Sequence, residues 1–253
     1  MTEAARQCGA KRFLYTSSAC IYPEGKQLDP SNPGLKESDA WPAEPQDAYG
    51  LEKLVSEECC RWYGKDFKGD CAYRIVRFHN IYGPHGTWKG GREKAPAAFL
   101  RKALTSTEEF EMWGDGMQTR SFCYVDDAVE GLMRVMKSDY TEPLNVGSDE
   151  MVSMNEMADM AMEIAGGLGA KGKMPVKHIP GPEGVRGRNS NNDLIKKTLN
   201  WAPSISLKEG LSKTAPWILA QINKDKEKGI AEDYTSSKVV NTEAASKIGE
   251  KKI

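Results

Sequence analysis

The spacing of hydrophobic and polar residues along this chain is typical of strands in some segments and of helices in others. Residues 11–16 and 71–78 form short apolar runs typical of strands, and a helical period lies between them. Asp47 is a good N-terminal cap for that helix. The predicted apolar stripe of this helix is Leu51, Leu54, Val55, Cys59 and Trp62. The helix would end at Gly64. A strand, a helix and a strand over this length predict a βαβ unit and a parallel sheet.

The rest of the chain alternates in a similar way. We predict a helix from Pro96 to about Leu104, a strand and turn at 110–116, and extended segments at 118–125 and 144–147. Three further helices would open at Asp126 or Asp127, at Ser153 with Glu156, and at Ser206 with Glu209. The first of these would bury Val129, Leu132, Met133 and Met136. From about residue 224 the chain is charged and poor in apolar residues, which predicts a flexible tail.

Composition narrows the class of protein. The 253 residues are 39% hydrophobic and 28% charged with a net charge of −1, so neither a nucleic acid nor a membrane surface is an expected partner. No apolar run approaches the roughly 20 residues that span a bilayer. The six cysteines and three histidines show no metal-binding spacing, and the first eight residues lack the apolar core of a signal peptide. These features predict a cytoplasmic protein with reduced thiols and no metal site.

Tyr49 and Lys53 are the first candidates for chemistry. Four residues apart on a helix, they share one face. An ammonium beside a phenol stabilises the phenolate, so the pair could act as a general base on a substrate hydroxyl. The spacing alone does not separate this hypothesis from a solvated helix face.

Two other segments are also candidates for ligand binding. Small residues, Ser17 to Cys20, follow the first predicted strand, and ligands bind at the carboxyl ends of strands in parallel sheets. Residues 85–94 are rich in glycine and charge. They could be a mobile surface loop, or a basic loop that closes over an anionic substrate.

Long strings of this sequence resemble those of the extended short-chain dehydrogenase/reductases that act on nucleotide sugars, in the NAD-dependent epimerase/dehydratase family. The strings are Ser17-Ser18-Ala19-Cys20-Ile21-Tyr22-Pro23-Glu24, Tyr49-x-x-x-Lys53, Arg77 through Pro96, and His178 to Ser190. The resemblance implies an α/β fold with a partial doubly wound parallel (Rossmann-type) sheet that lacks its N-terminal glycine-rich half, and a smaller α/β substrate-binding domain. Residues 1–83 would belong to the NAD-binding domain and 84–223 mainly to the substrate domain. The segment 121–147 would return to the Rossmann sheet, and 224–253 would be the tail.

The resemblance also implies roles for named residues. The implied reaction inverts GDP-mannose at C3 and C5, to GDP-L-galactose, through a transient 4-ketone, with NAD regenerated in each cycle. Tyr49 would take the proton of the 4-hydroxyl, and Cys20 and Lys94 would exchange the protons at C3 and C5. Lys53, Tyr49 and Ser17 would contact NAD. A homodimer is expected on the same ground.

Eleven positions match the GDP-sugar site of the family: Ser18, Ala19, Asn80, Glu93, Ala95, Lys102, Gln118, Thr119, Arg120, Arg188 and Ser237. The cations among them suit a diphosphate, which arginine can bind with two parallel hydrogen bonds. Ser237 lies in the predicted tail and could become ordered only when substrate binds.

Other interpretations stay open. The sugar-nucleotide 4,6-dehydratases place an Asp-Glu pair at the positions of Ala19 and Cys20, and that pair is missing here. The 4-epimerases usually carry threonine at the Cys20 position and need no acid–base pair at C3 and C5. The sequence also contains no Gly-x-Gly-x-x-Gly or Gly-x-x-Gly-x-x-Gly turn for the cofactor. We expect an N-terminally truncated sequence, because the catalytic residues all match; a non-catalytic nucleotide-sugar-binding fragment is the alternative.

Overall fold

The structure, a computed structural model, describes residues 1–230 and 232–236. Its helices are α1 (Thr2–Gln7), α2 (Ala48–Asp66), α3 (Ala95–Thr105), α4 (Val125–Lys137), α5 (Met154–Gly167), α6 (Asp193–Leu199) and α7 (Leu207–Glu227). Its strands are β1 (Arg12–Ser18), β2 (Ala72–Phe78), β3 (Ile81–Tyr82), β4 (Phe110–Trp113), β5 (Thr119–Ser121), β6 (Cys123–Tyr124), β7 (Leu144–Val146), β8 (Met151–Ser153), β9 (Val176–Ile179) and β10 (Gly187–Arg188). No helix in this part of the chain is long and apolar enough to cross a membrane.

A three-stranded parallel sheet, in the order β1-β2-β7, organises the first half of the chain. Strands β1 and β2 pair along their whole length, from Arg12 opposite Ala72 to Ser18 opposite Phe78. Helix α2 is the crossover between them, so the predicted βαβ unit is confirmed. Strand β7 pairs with the other side of β2 and lies in the segment 121–147 that the resemblance assigns to this sheet.

The remaining elements surround a second core. Helices α3, α5 and α7 pack on one another, beside the sheet β10-β5-β8 and the parallel pair β4-β9. The predicted caps of α5 and α7 are confirmed, since Ser153 and Ser206 each accept a hydrogen bond from the backbone three residues on. The largest fully buried side chains of this core are Phe110, Leu100, Met112, Met157 and Met162.

Helix α2 buries a different face from the predicted stripe. Leu51, Val55 and Trp62 are each more than half exposed, and Cys59 is exposed as well. The residues that the helix does bury are Gly50, Leu54, Glu57 and Cys60. The prediction was wrong because it scored apolar side chains only, whereas a buried ion pair turns the Glu57 face inward. The helix also runs two residues past Gly64.

The predicted start of α4 was also wrong. Tyr124 occupies the N-cap, and Asp127 lies in the first turn of the helix. Its carboxylate accepts hydrogen bonds from the Ser204 hydroxyl and from the backbone N–H groups of Ser204 and Ile205. The aspartate therefore joins α4 to the segment before α7, and the helix buries Ala128, Gly131 and Val135.

The segment predicted to be a flexible tail begins inside α7, which continues to Glu227. Tyr234 is buried against the ring of Trp88, with 5.6 Å between ring centroids. Its hydroxyl donates to Asp225, which also binds Lys89 with 2.6 Å between Nζ and Oδ2. The described part of the tail is thus joined to the loop before α3.

Candidate active site

The tyrosine–lysine pair lies at the carboxyl end of β1. Asp47 accepts a hydrogen bond from Gly50 N at 2.8 Å, which starts α2 where the sequence predicts. Lys53 Nζ donates to the carbonyl of Thr16 at 2.9 Å and lies 5.7 Å from the centre of the Tyr49 ring. Tyr49 is 50% exposed, so its phenol is open to a ligand.

Cys20 lies in a short 3₁₀ turn, Ala19–Ile21, directly after β1. The Ser18 hydroxyl accepts a hydrogen bond from Cys20 N at 3.2 Å and starts the turn. The Arg188 guanidinium approaches the thiol, with 3.5 Å between Nη1 and Sγ. Sequence reasoning paired Cys20 with Lys94 and assigned Arg188 to the GDP-sugar site. It missed the contact of this arginine with the thiol, which joins positions 168 residues apart.

Gly50 brings the tyrosine helix and the cysteine turn together. A Cβ atom at this position would lie 2.2 Å from the carbonyl oxygen of Cys20, closer than any real Cβ contact. Only glycine allows the first turn of α2 to approach the Cys20 backbone so closely. Tyr49 and Cys20, predicted separately, are therefore neighbours in the fold.

Replacing Gly50 with alanine is expected to destabilise the protein by about 1–3 kcal/mol, the usual cost of overpacking. At an ordinary glycine inside a helix, replacement with alanine stabilises the fold by about 1 kcal/mol through helix propensity. The change in stability expected at Gly50 therefore has the opposite sign. Gly64→Ala is the matched control on the same helix, because its Cβ would meet only the Tyr73 ring at 3.4 Å. Urea unfolding of the two variants measures the difference; equal or higher stability of Gly50→Ala would contradict the close contact.

A cavity of about 240 Å³ lies beside α3, β4 and β5. Seven of the predicted site residues line it: Asn80, Glu93, Lys94, Ala95, Lys102, Gln118 and Arg120. Lys94 is exposed at the N-cap of α3, and Trp113 and Glu183 also line the cavity. The resemblance thus named positions that the fold brings together from three separate segments.

The electrostatics of this region favour an anion. Burial, with the guanidinium groups of Arg188 and Arg186 nearby, lowers the pKa of Arg120 to about 10. Burial likewise lowers the pKa of Lys102 to about 8. Among the residues that the structure describes, no carboxylate forms an ion pair with Arg120 or Arg188. Neighbouring cations without such a partner are what a diphosphate would stabilise.

Three buried side-chain oxygen atoms have no hydrogen-bond partner in the described part of the chain, and two of them, Gln118 Oε1 and Ser17 Oγ, lie at this site. Gln118 Oε1 lies in the wall of the cavity and can accept a hydrogen bond from a ligand. Ser17 Oγ lies at the carboxyl end of β1, one residue from the Thr16 carbonyl that binds Lys53. Buried polar atoms are normally satisfied, so both atoms fit a site that a ligand completes.

The loop before α3 is held by ion pairs. Glu93 and Arg101 form a buried pair with 2.9 Å between Oε1 and Nη2. The same guanidinium donates to the backbone carbonyls of Tyr234 and Ser236. Arg101 was not predicted as a site residue, although a charged residue within the apolar pattern of α3 was an available signal. Ser237, the next predicted residue, lies outside the described residues.

The other predicted residues lie away from the cavity wall. Ala19 is buried beside Cys20, and Ser18 caps the same turn. The Thr119 hydroxyl donates to the carbonyl of Pro30, while Arg188 binds Gln27 in addition to Cys20. Ser18, Ala19 and Arg188 therefore lie on the Cys20 side of the site.

Comparisons with known proteins identify the family of this chain. Residues 1–147 match the model of the NAD dependent epimerase/dehydratase family. The chain is 65% identical over 250 residues to GDP-mannose 3,5-epimerase of Arabidopsis thaliana and 63% identical to GDP-mannose 3,5-epimerase 1 of Oryza sativa subsp. indica. Each alignment covers 98% of this chain and 64% of the relative, so the chain spans about two thirds of the length of these relatives.

Solved structures agree on the fold. UDP-glucose 4-epimerase of Thermotoga maritima, with UDP-glucose, matches with a TM-score of 0.75 at 26% identity and covers 87% of this chain and 67% of its own. MoeE5 in complex with UDP-glucuronic acid and NAD matches with a TM-score of 0.70 at 26% identity, covering 87% and 69%. The chain is a homologue of the GDP-mannose 3,5-epimerases and belongs to the NAD dependent epimerase/dehydratase family.

Proposed function

We propose that this chain carries the catalytic and substrate-binding residues of an NAD-dependent epimerase that inverts GDP-mannose at C3 and C5, giving GDP-L-galactose. The 65% identity to GDP-mannose 3,5-epimerase supports this substrate and reaction. Cysteine at position 20 supports it further, because the related 4-epimerases and 4,6-dehydratases have other residues there.

The observation that carries the proposal is the position of Arg188. Its guanidinium contacts the Cys20 thiol and also influences Arg120, which lines the cavity with Lys94. This arginine therefore connects the cysteine turn to the cavity beside α3. A diphosphate held by Arg120 and Arg188 would leave the sugar near Cys20, where proton exchange is required.

Tyr49 and Lys53 would act at C4. The exposed Tyr49 side chain, as its phenolate, would accept the proton of the 4-hydroxyl, and the Lys53 ammonium lies 5.7 Å from the centre of its ring. When bound, NAD would accept the hydrogen of C4 and later return it. Lys53 and the unpartnered Ser17 Oγ lie together at the end of β1, where they would hold the cofactor.

Cys20 and Lys94 would act at C3 and C5. A ketone at C4 acidifies both neighbouring carbons, because the carbanion is stabilised as an enolate. Inversion needs one group that removes a proton and a second that delivers one to the opposite face. A thiol on the β1 side and an ammonium at the start of α3 come from different elements, which suits two faces of one sugar ring.

The affinity for GDP is expected to weaken by about tenfold from pH 7 to pH 9, because Lys102 loses its proton over this range. The protonated form attracts the diphosphate, so binding is strongest below the pKa of about 8. Titration calorimetry with GDP measures the effect. Lys102→Arg is the control, since arginine keeps its charge; the same weakening in that variant would contradict the role of Lys102.

The test of the proposed function is conversion of GDP-mannose by this chain with added NAD, followed by chromatography. We expect epimer formation without net NADH and a loss of about 10²–10⁴-fold in Tyr49→Phe, the range for removal of a general base. Tyr63→Phe, on the same helix, is the matched control and should keep full activity. Equal activity of the two variants would refute the assignment of Tyr49.

A second candidate is a nucleotide-sugar-binding protein without turnover. It is favoured by the lack of a glycine-rich cofactor turn among the 253 residues. This candidate predicts GDP-mannose binding without any epimer at saturating NAD. A 4-epimerase, the other alternative, predicts inversion at C4 alone.

We also propose a homodimer, as the family resemblance implies. The exposed Leu51, Val55 and Trp62 on α2 offer an apolar surface for it. Light scattering of the purified chain measures the molar mass, and the mass of a monomer at all concentrations would refute the dimer.

A further inference from the structure

Arg77 is a buried cation in the middle of the parallel sheet, close to both halves of the proposed catalytic machinery. It lies on β2, where it is 3% exposed, in an otherwise largely apolar strand. A buried guanidinium costs much free energy unless its donors are satisfied, so its partners show what it does. Those partners come from α2 and from the segment that follows Cys20.

The first partner is Glu57 of α2. The two groups form a two-point ion pair, with 2.7 Å between Nη2 and Oε2 and 3.0 Å between Nε and Oε1. Glu57 is one helical turn after Lys53 and two turns after Tyr49. Arg77 thereby fixes the position of the helix that carries the tyrosine–lysine pair.

The second partner is Tyr22, two residues after Cys20. Arg77 Nη1 donates to the Tyr22 hydroxyl at 3.2 Å and to the carbonyl of Glu37 at 2.8 Å. The guanidinium also lies 5.3 Å from the Tyr22 ring centre. One planar group therefore holds the cysteine segment and the tyrosine helix at once.

The Tyr22 hydroxyl that Arg77 contacts is also bound by a second strand of the sheet. Its hydroxyl donates to Asn145 Oδ1 at 2.6 Å, and the Asn145 amide donates to the carbonyl of Leu35 at 2.8 Å. Asn145 Oδ1 also meets His79 Nε2 at 2.9 Å. The network thus extends across β2 to β7, and Tyr22 cannot shift without breaking several buried hydrogen bonds.

We propose that Arg77 is a positioning residue that keeps Cys20 and Tyr49 at the spacing needed to act on adjacent carbons of one sugar. The inference rests on the proposed function. C4 is one bond from C3 and from C5, so a small displacement of either group uncouples oxidation from proton exchange. The Arg77 guanidinium and the Gly50 contact with Cys20 are two restraints on the same spacing.

Arg77→Lys and Tyr22→Phe test the proposal in the full chain. Lysine keeps the charge but cannot bind Glu57 at two points and Tyr22 together. Phenylalanine removes one hydroxyl only. In both variants we expect bound NADH to form, on mixing with GDP-mannose, at a rate within about threefold of that of the unaltered chain. Deuterium uptake at C3 and C5 is expected to fall by about 100-fold, the scale of a 1 Å misplacement.

Matched controls separate positioning from general stability. Arg74→Lys alters a second buried arginine of β2, which binds the carbonyls of Ser138 and Tyr73. Tyr73→Phe removes a hydroxyl that donates to the carbonyl of Thr2. Both controls should leave the ratio of oxidation to exchange unchanged. Equal loss of oxidation and exchange in Arg77→Lys and in Arg74→Lys would overturn the proposal.

A readout without turnover distinguishes this proposal from the proposed function. Amide hydrogen exchange at residues 18–22 and 47–53 is expected to quicken in Arg77→Lys and Tyr22→Phe but not in Arg74→Lys. If the unaltered chain shows no turnover, the proposed function fails, and this exchange still decides the structural role of Arg77. Unchanged exchange in both segments would overturn that role.

Discussion

Cys20→Ala is expected to lower proton exchange at C3 and C5 by about 10²–10⁴-fold, the range for loss of a general acid–base group, and to leave oxidation at C4 in place. The thiol lies in the turn after β1, whereas Tyr49 and Lys53, which we propose to act at C4, lie on α2. Alanine fits the turn, because its hydrogen bond to Ser18 comes from the backbone. The substitution therefore removes one reacting group and keeps the others where they are.

The matched control for this variant is Cys59→Ala, which removes an exposed thiol of α2 far along the helix from Tyr49. It should keep both oxidation and exchange. Rapid mixing that follows bound NADH measures the first step, and mass spectrometry of GDP-mannose recovered from D₂O measures the second. Exchange at the normal rate in Cys20→Ala would contradict the role of the thiol.

The second large effect is on stability. Glu57→Ala is expected to destabilise the folded chain by about 3–5 kcal/mol, because it leaves the Arg77 guanidinium buried without its carboxylate. Burial of an uncompensated charge accounts for most of that cost. The remaining hydrogen-bond partners of Arg77, the Tyr22 hydroxyl and the Glu37 carbonyl, are neutral. The Glu37 carboxyl also interacts with Arg77, but burial raises its pKa and it accepts a hydrogen bond from Asn145 N, not from Arg77.

The neighbouring residue provides the control for this prediction. Glu58 also pairs with an arginine, Arg61, at 2.9 Å, but both side chains are partly exposed to solvent. Glu58→Ala should cost less than about 1 kcal/mol, as for other surface ion pairs. Urea unfolding of the two variants compares the buried pair with the exposed one, and equal losses would contradict the buried-charge explanation.

Most elements of the fold could be predicted from local patterns, but the buried face of α2 could not. Strands β1 and β2, the Asp47 cap and the Ser153 and Ser206 caps follow from short-range chemistry, and the structure confirms them. The buried face of α2 depends on Arg77, which lies 20 residues after Glu57. Periodicity cannot detect a partner at that distance. Two arginines in the strand Ala72–Phe78 were the available signal, since buried charges need partners.

Part of the candidate site could likewise be predicted from the sequence, and part could not. The motifs around Cys20, Tyr49 and Lys94 could be named from the sequence because each is a continuous string. The contact between Cys20 and Arg188 could not, because it depends on how distant loops meet. The close approach at Gly50 was also missed, since a glycine inside a helix gives no indication of what lies beside it.

The central claim, that oxidation at C4 serves proton exchange at C3 and C5, is tested most directly by the positions at which deuterium enters the sugar. GDP-mannose incubated with the chain and NAD in D₂O can be analysed by nuclear magnetic resonance. We expect deuterium at C3 and C5 and retained hydrogen at C4, because NAD carries the C4 hydrogen without exposing it to water. Epimer formation with C3 and C5 unlabelled, or with deuterium at C4, would contradict the proposed reaction.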